Sequence, residues 1–335
     1  MTQLRDLLAS AVPFALPLAR TFRGLDVREG VLIPGPHGWG EFAPFDDYSD
    51  VAAARWLDAA IEAAFDDRPE AVRDSLVVNA IIPLCDAHDA ARLTRDAVAR
   101  GCTTIKVKVG SAELADDIAR VAAIREALGG AGAIRIDANA AWSLEGAVVA
   151  LRELEPFGLE YAEQPCATAD LRALRSRTSV RLAIDEGIRQ SGDLETLGGE
   201  LADLAEVADV AILKPQTLGG VAATVRMAER LHDRAGMPVV ISGSLDSSVG
   251  LSAVVAAAAA VPELPFASGL GTGALLAADV VETPLIPVAG RIAVGRVAPD
   301  EAALAQARAR VTPQRRDYWH QRITDAWAAR ERLAR

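Results

Sequence analysis

AIRIDAN (133–139), LEYAEQP (159–165), RLAIDE (181–186) and VAILKP (210–215) are four short apolar runs, each closing on a charged side chain. VVNAIIP (77–83) and TTIKVKV (103–109) precede them, and MPVVISG (237–243) and LPFASG (264–269) follow. Amphipathic stretches intervene, with Leu114, Ile118, Val121 and Leu128 on one face, then Leu151 with Leu154, Leu197 with Leu201, and Val225 with Ala228 and Leu231. Asp137, Glu163, Asp185, Lys214 and Ser242 mark successive strand ends, 26, 22, 29 and 28 residues apart. One strand plus a return helix takes roughly that length. Eight such strands with polar residues where each finishes describe a closed β/α barrel of the TIM type. No glycine-rich dinucleotide fingerprint follows the first strand, which argues against an open doubly wound sheet.

Ahead of this series the chain reads as a small α+β unit. Strands are expected over Val12 to Leu18, Leu25 to Ile33 and Gly38 to Phe42, and a helix from about Val51 to Phe65. After about Val280 come strand-like IPVAGRIAVG (286–295) and a charged, alanine-rich helical tail. This last segment is expected to return to the N-terminal unit and finish its sheet. The expected organisation is a capping domain over 1–75, a barrel over 76–280 and a C-terminal segment over 281–335.

The chain has 335 residues, 51% of them hydrophobic, enough for a large domain and a smaller one. A net charge of −11 without a basic block disfavours nucleic acid or an anionic membrane surface as partner. Cys85, Cys102 and Cys166 are odd in number and widely spaced, which suits a reducing compartment better than a disulfide scaffold or a zinc site. The opening MTQLRDLLAS has no long apolar core, and the run Ala253 to Val261 is too short to span a bilayer. A cytoplasmic, soluble protein is the expectation, with the oligomeric state left open.

Lysine occurs only at Lys106, Lys108 and Lys214, whereas the other 32 basic residues are Arg. A group that exchanges a proton near neutral pH cannot be Arg, so the three ammonium groups are where chemistry is expected. In a barrel, Lys108, Asp137, Glu163, Asp185 and Lys214 would ring one mouth. The three carboxylates make an all-oxygen site of the kind Mg²⁺ prefers. Lys106 and Lys108, two apart on a strand, share a face, so their mutual repulsion is expected to push a pKa toward neutrality. Lys108 is the better-placed base and Lys106 its tuner; two salt-bridged lysines are the structural alternative. A metal between two lysines suits removal of a proton next to a carboxylate.

His37, His88, His232 and His320 fall away from the strand ends and read as surface or local hydrogen-bonding residues, with a turn near the substrate as the alternative for His37. Arg20 and Arg23 lie in a segment that suits either a loop binding a substrate carboxylate or an ordinary solvated loop. Ser242, Ser244 and the glycines from Gly269 through Gly271 to Gly273 offer hydroxyl and backbone N–H groups to substrate oxygens, although Ser and Gly also make ordinary barrel turns.

KVK at 106–108, DAN at 137–139, EQP at 163–165, DE at 185–186 and KP at 214–215, followed by Gly219 and Gly220, run in the order of the enolase superfamily's motifs. Through them nearly the whole chain resembles that superfamily, in the branch related to muconate-lactonizing enzymes. The resemblance implies a (β/α)₇β barrel with an N-terminal α+β cap completed by C-terminal residues. It implies Asp137, Glu163 and Asp185 as Mg²⁺ ligands, Mn²⁺ being a possible substitute, and Lys108 and Lys214 as paired acid/base residues. Asn139 and Glu186 would support the metal site.

Within that branch the short cap is most similar to the o-succinylbenzoate synthases of menaquinone biosynthesis. LPL and FRG within 16–24, GWGEFAP (38–44), VNAIIP (78–83), SGSLDSSVG (242–250) and GLGTG (269–273) carry this likeness. It implies a β-elimination of water from 2-succinyl-6-hydroxy-2,4-cyclohexadiene-1-carboxylate, with Lys108 taking the α-proton and Lys214 remaining ammonium. Racemisation of N-succinylamino acids or dipeptides needs the same metal and lysines, so the mouth residues alone leave it open. A binding protein without catalysis is the reading from another class, disfavoured by two lysines flanking three carboxylates.

Overall fold

The structure is a computed structural model and describes residues 3–22, 24–190 and 204–333. The stretch with Leu197 and Leu201 therefore lies outside the described residues. Three strands open the fold as an antiparallel meander, β1 (Val12–Phe22), β2 (Leu25–Gly35) and β3 (Gly38–Phe42). Only Pro36 and His37 separate the paired Gly35 and Gly38, and Gly38 takes the positive φ of +135° that so short a connection demands.

The helix Asp50–Phe65 lies on this meander. Ser49 caps it by accepting from Ala52 N, and its buried face is built largely of alanines at 53, 54, 59, 60, 63 and 64. Two glycines make the approach possible: a Cβ on Gly40 would lie 1.8 Å from Ala60 O, and one on Gly35 would lie 2.2 Å from Ala64 O. Helix Pro313–Leu333 packs beside this helix in the same core, bringing Trp319 edge-on to Phe42 with ring centroids 6.1 Å apart. Leu4–Ser10 is helical where the sequence reading had only strands and turns, and it buries Leu7 completely in the same core. About two turns of helix carry too few apolar positions for periodicity to reveal it.

Among the described residues nine further strands follow: β4 (Ser75–Val77), β5 (Ala80–Ile82), β6 (Thr104–Lys108), β7 (Ala133–Asp137), β8 (Leu159–Glu163), β9 (Leu182–Ile184), β10 (Val210–Leu213), β11 (Val239–Ile241) and β12 (Arg291–Ala293). Seven of them, β5 to β11, form one parallel sheet in chain order. The eighth barrel position is held by two residues: Ser268 bridges to Val78, and Gly269 to Ser242. Asn79 N donates to Ser268 O at 3.0 Å and Gly269 N to Ile241 O at 2.8 Å, which closes the sheet on itself.

Alternation along the strands sorts the side chains. Ile105, Val107, Ile134, Ile136, Leu182 and Ile184 are fully buried against the surrounding helices. Tyr161, Ala183, Ile212 and Val240 form a separate apolar layer with Val210. That layer contains residues two before Glu163, Asp185, Lys214 and Ser242, so these strand ends stand on an apolar floor, whereas Lys106 and Arg135 occupy the same place beneath Lys108 and Asp137.

The strand within 286–295 does not finish the N-terminal sheet. β12 pairs antiparallel with β4, Ile292 opposite Leu76, and β1–β2–β3 remains three-stranded. Gly290 explains the placement: its N–H donates to Arg100 O at 2.8 Å, and a Cβ there would lie 2.1 Å from Gly101 O, so the segment is seated against the barrel before the strand begins. The C-terminal helix, not the strand, reaches the meander. No helix among the described residues is long and apolar enough to cross a membrane.

Candidate active site

Five adjacent barrel positions carry the charged residues in order: Lys106 and Lys108 on β6, Asp137 on β7, Glu163 on β8, Asp185 after β9 and Lys214 after β10. The carboxylates are each 1% exposed. Lys106 Nζ donates to Glu163 Oε1 and Oε2 at 2.6 and 2.7 Å and lies 2.8 Å from Asp137 Oδ2. Lys108 Nζ meets the same Asp137 oxygen at 2.6 Å and Asn139 Oδ1 at 2.5 Å. Lys214 Nζ donates to Asp185 Oδ2 at 2.5 Å. Asn139 Nδ2 reaches Glu186 Oε1 at 3.2 Å, which joins the two supporting residues to the ring.

The backbone beside these acids is unusual. Asn139, Ala140 and Gln164 have φ of +46°, +60° and +38°, a region that side-chain-bearing residues rarely occupy. Asn139 N donates to Asp137 Oδ1 at 3.0 Å, Ala140 N to Gln164 O at 2.7 Å, and Asp185 N to Gln164 Oε1 at 3.2 Å. Gln164 thus ties the ends of β7, β8 and β9 together, a role its position in EQP did not announce.

Burial and charge act unequally on the two β6 lysines. For Lys106, burial works against the ammonium, but Asp137 and Glu163 outweigh it and hold the pKa above the ordinary lysine value. For Lys108, burial prevails over Asp137, Lys106 adds repulsion, and the pKa is lowered. The expected lowering of one pKa in this pair falls on Lys108, with desolvation ahead of repulsion as the cause. Both lysines are also salt-bridged, so that alternative and the tuned pair coexist.

Burial raises Asp137, yet Lys106 and Lys108 bring it well below the usual carboxylate range. Glu163 is pushed up to about 7 by burial first and then by Asp137, with Asp185 adding to the effect. Three buried acids that repel one another, with oxygen donors only, fit a hard divalent cation. As placed, no three Asp, Glu, His or Cys side chains among the described residues are arranged to hold a metal ion. Their oxygens accept instead from Lys106, Lys108 and Lys214, so a cation would compete with ammonium groups for them.

Ser242, Gly269 and Gly271 lie at the barrel seam. Ser242 Oγ is 3.3 Å from Gly269 O, and a Cβ on Gly269 would lie 2.5 Å from that hydroxyl. Gly271 packs on Asn79 O, 2.7 Å from where its Cβ would stand. Ser244 is buried, its N–H donating to Asp246 Oδ2 at 2.7 Å. Arg20 pairs with Asp89 at 2.7 Å, on the helix Ala87–Ala99, and Arg23 lies outside the described residues. His37 Nδ1 stands 2.9 Å from Asp67, and His232 3.7 Å from Glu263, both partners largely exposed.

Arg135 and Asp246, both buried, also escaped the sequence reading. Arg135 is fully buried, bonded to Asn79 Oδ1, Ala267 O and Glu160 Oε2 at 3.0, 2.7 and 2.5 Å, with its guanidinium 4.8 Å from the centre of the Tyr161 ring. Its place two residues before Asp137 was the available signal. Asp246 accepts from Gln216 Nε2 at 2.5 Å and joins the loop after β11 to the turn that begins at Lys214.

The family described as enolase C-terminal domain-like matches residues 89–306, and its N-terminal counterpart matches 13–64. The o-succinylbenzoate synthase of Thermobifida fusca is 48% identical over 326 residues, 96% of this chain and 97% of that one. This chain belongs to the o-succinylbenzoate synthase family of the enolase superfamily. Another o-succinylbenzoate synthase, from Mycobacterium leprae, is 44% identical over 332 residues, 97% of this chain and 93% of its own. Among solved structures, muconate lactonizing enzyme from Pseudomonas fluorescens superposes with a TM-score of 0.75 at 22% identity, over 89% of this chain and 97% of that one. The likeness at that identity concerns the fold: a capped β/α barrel, as the motifs implied.

Proposed function

We infer that this protein is an o-succinylbenzoate synthase, a hydro-lyase that converts 2-succinyl-6-hydroxy-2,4-cyclohexadiene-1-carboxylate to o-succinylbenzoate. Family membership over nearly the full length supports the reaction. The observation that carries the chemistry is the order Lys108, Asp137, Glu163, Asp185, Lys214 on adjacent barrel positions, an amine at either flank of three buried acids.

Asp137, Glu163 and Asp185 would hold the metal, Mg²⁺ by the hardness of the donor set, with Mn²⁺ as a substitute. When bound, it supplies positive charge at the substrate carboxylate and so lowers the cost of acidity at the neighbouring carbon. Lys108, its pKa lowered mainly by burial, takes the proton α to the carboxylate. The C–O bond to the ring hydroxyl then breaks, a ring double bond forms, and Lys108 returns its proton to the departing oxygen on the same face. Water leaves and the ring becomes aromatic, so the carbanion step is the one that needs catalysis. Lys214 stays ammonium opposite Lys108 and offsets the developing negative charge.

Lys106 holds Glu163 and Asp137 in place, and Asn139 with Glu186 orients Lys108 and the acids around it. Ser242, Ser244 and the backbone at Gly269 and Gly271 are the proposed contacts for substrate oxygens, and Arg20 and Arg23 are proposed for the substrate carboxylate, although Arg20 lies in the strand β1 rather than the expected loop and is paired with Asp89. The substrate is a small carboxylate, and the proposed setting is the cytoplasm.

Racemisation of N-succinylamino acids would use the same two lysines in alternation. Purified protein with Mg²⁺ should be offered the cyclohexadiene carboxylate and, in D₂O, a panel of N-succinylamino acids. A kcat/KM for dehydration above that for any racemisation supports the assignment; a large preference for racemisation overturns it.

A further inference from the structure

Arg28 and Glu41 stand on the N-terminal meander, far in sequence from the barrel mouth, yet both are buried on the loop that follows β11. Arg28 Nε donates to Leu245 O at 3.0 Å. Its Nη2 donates to Ala43 O, and the guanidinium lies 4.4 Å from the centre of the Phe45 ring, so the fork is fixed from its own side. Glu41 accepts from Ser247 N at 3.3 and 3.2 Å and from Ser247 Oγ. Between these anchors Leu245 is 2% exposed and belongs to the hydrophobic core of the cap, with Trp56, Phe42 and Trp319.

Leu245 also has φ of +64°, a left-handed conformation costly for a residue with a branched side chain. Such a conformation persists only where the surroundings over-determine it. From the barrel side the loop is held by Asp246, which accepts from Ser244 N and from Gln216 Nε2, two residues beyond Lys214. Gly243 N donates to Gly269 O at 3.0 Å. One strained loop therefore has the cap on one side and the turn of Lys214 on the other, and it presents Ser242 and Ser244.

We propose that Arg28 and Glu41 are positioning residues for substrate recognition: through Leu245 and Ser247 they fix the loop Ser242–Ser247 at the mouth, so that the cap sets substrate affinity from behind the serines. This rests on the reading of Ser242 and Ser244 as substrate contacts. Neither Arg28 nor Glu41 takes part in proton transfer, so their loss acts on binding and leaves the chemical step in place. What Glu41 supplies is an acceptor for two donors, which an amide oxygen also provides.

Steady-state kinetics on the full chain with Mg²⁺ test this, with thermal melting as a check on folding. Glu41→Ala should raise KM about tenfold with kcat within about threefold, as expected when binding but not transition-state contact is lost. Glu41→Gln should restore KM to within about threefold of the wild type, because the acceptor returns without the charge. Arg28→Lys, which keeps the charge but not the fork, should raise KM severalfold and add little on top of Ser244→Ala. Unchanged KM in folded Glu41→Ala and in Arg28→Lys overturns the proposal, as do independent effects of Arg28→Lys and Ser244→Ala. If Glu41→Ala does not fold, Arg28→Lys and its combination with Ser244→Ala decide. Wild-type turnover of the cyclohexadiene carboxylate tests the assigned activity separately; if the wild type instead racemises an N-succinylamino acid, the same KM ratios are read on that substrate.

Discussion

Lys108 and Lys106 share a single acceptor, Asp137 Oδ2, at 2.6 and 2.8 Å, although only Lys108 has its pKa lowered. Lys106 is closed in by both oxygens of Glu163, whereas the other partner of Lys108 is a neutral amide. The amine better able to lose its proton is thus the one at the strand end.

Lys108→Ala should lower kcat by about 10³-fold or more, the upper part of what a positioned acid/base contributes. Lys108→Arg should be nearly as damaging, because a guanidinium keeps its proton. Circular dichroism and Mg²⁺ titration should remain close to wild type in both. An unchanged kcat in either variant removes Lys108 from the proposed role.

Chelation with EDTA should abolish turnover, and Mg²⁺ or Mn²⁺ should restore it. Because Glu163 is raised by burial and by its neighbouring acids, cation binding should also raise the melting temperature, and Glu163→Gln should shrink that rise. Differential scanning calorimetry with and without Mg²⁺ reads this independently of activity.

Glu41 is pushed up to about 8, by burial first and then by Asp246, with Asp279 adding to the effect and Ser247 and Arg28 opposing it. The folded protein holds this proton more tightly than the unfolded chain, whose carboxyl has the ordinary value of 4.5. The associated stability is full below 4.5 and is lost as pH rises toward 8. Melting temperatures measured across this window should fall more steeply for the wild type than for Glu41→Gln; parallel profiles would contradict the assignment.

Glu62, on the helix Asp50–Phe65, accepts from Val221 N and from Ala222 N, the latter at 2.9 Å, at the start of the barrel helix Val221–Ala235. Glu62→Ala should cost about 1–2 kcal/mol, as loss of a helix N-cap does. Gly220→Ala should also destabilise: a Cβ there would lie 2.0 Å from Glu62 Oε2, and φ is +127°. In the Glu62→Ala background the second cost should diminish, since the clash is gone and only the backbone strain remains. Urea titrations of the four proteins measure the coupling.

The barrel was legible because its strands are short, apolar and closed by rare charges: Lys108, Asp137, Glu163, Asp185 and Lys214 needed only the topology to become neighbours. Residues whose partners are remote were not. Glu41 bonds to a residue 206 positions away, and nothing in GWGEFAP distinguishes a carboxylate aimed at a helix terminus from one aimed at solvent. Arg135 sits at an inward position of β7, but a charge in a strand reads as exposed unless its counter-groups, Asn79 and Glu160, are known. The strand Arg291–Ala293 was visible as a strand, while its partner depended on the close approach of Gly290 to Gly101. Short elements such as Leu4–Ser10 take their stability from the core they meet, so local sequence carries little sign of them.

Glu62 and Glu41, which cross from the small unit to the barrel, each face a glycine that makes room for them: Glu62 beside Gly220, and Glu41 beside Gly250, where a Cβ would stand 2.7 Å from the carboxyl carbon. The two pairs work as keys in keyways. Chimeras that graft the small unit of one family member onto the barrel of another should therefore assemble when both pairs are kept intact, and jam when a side chain fills either slot.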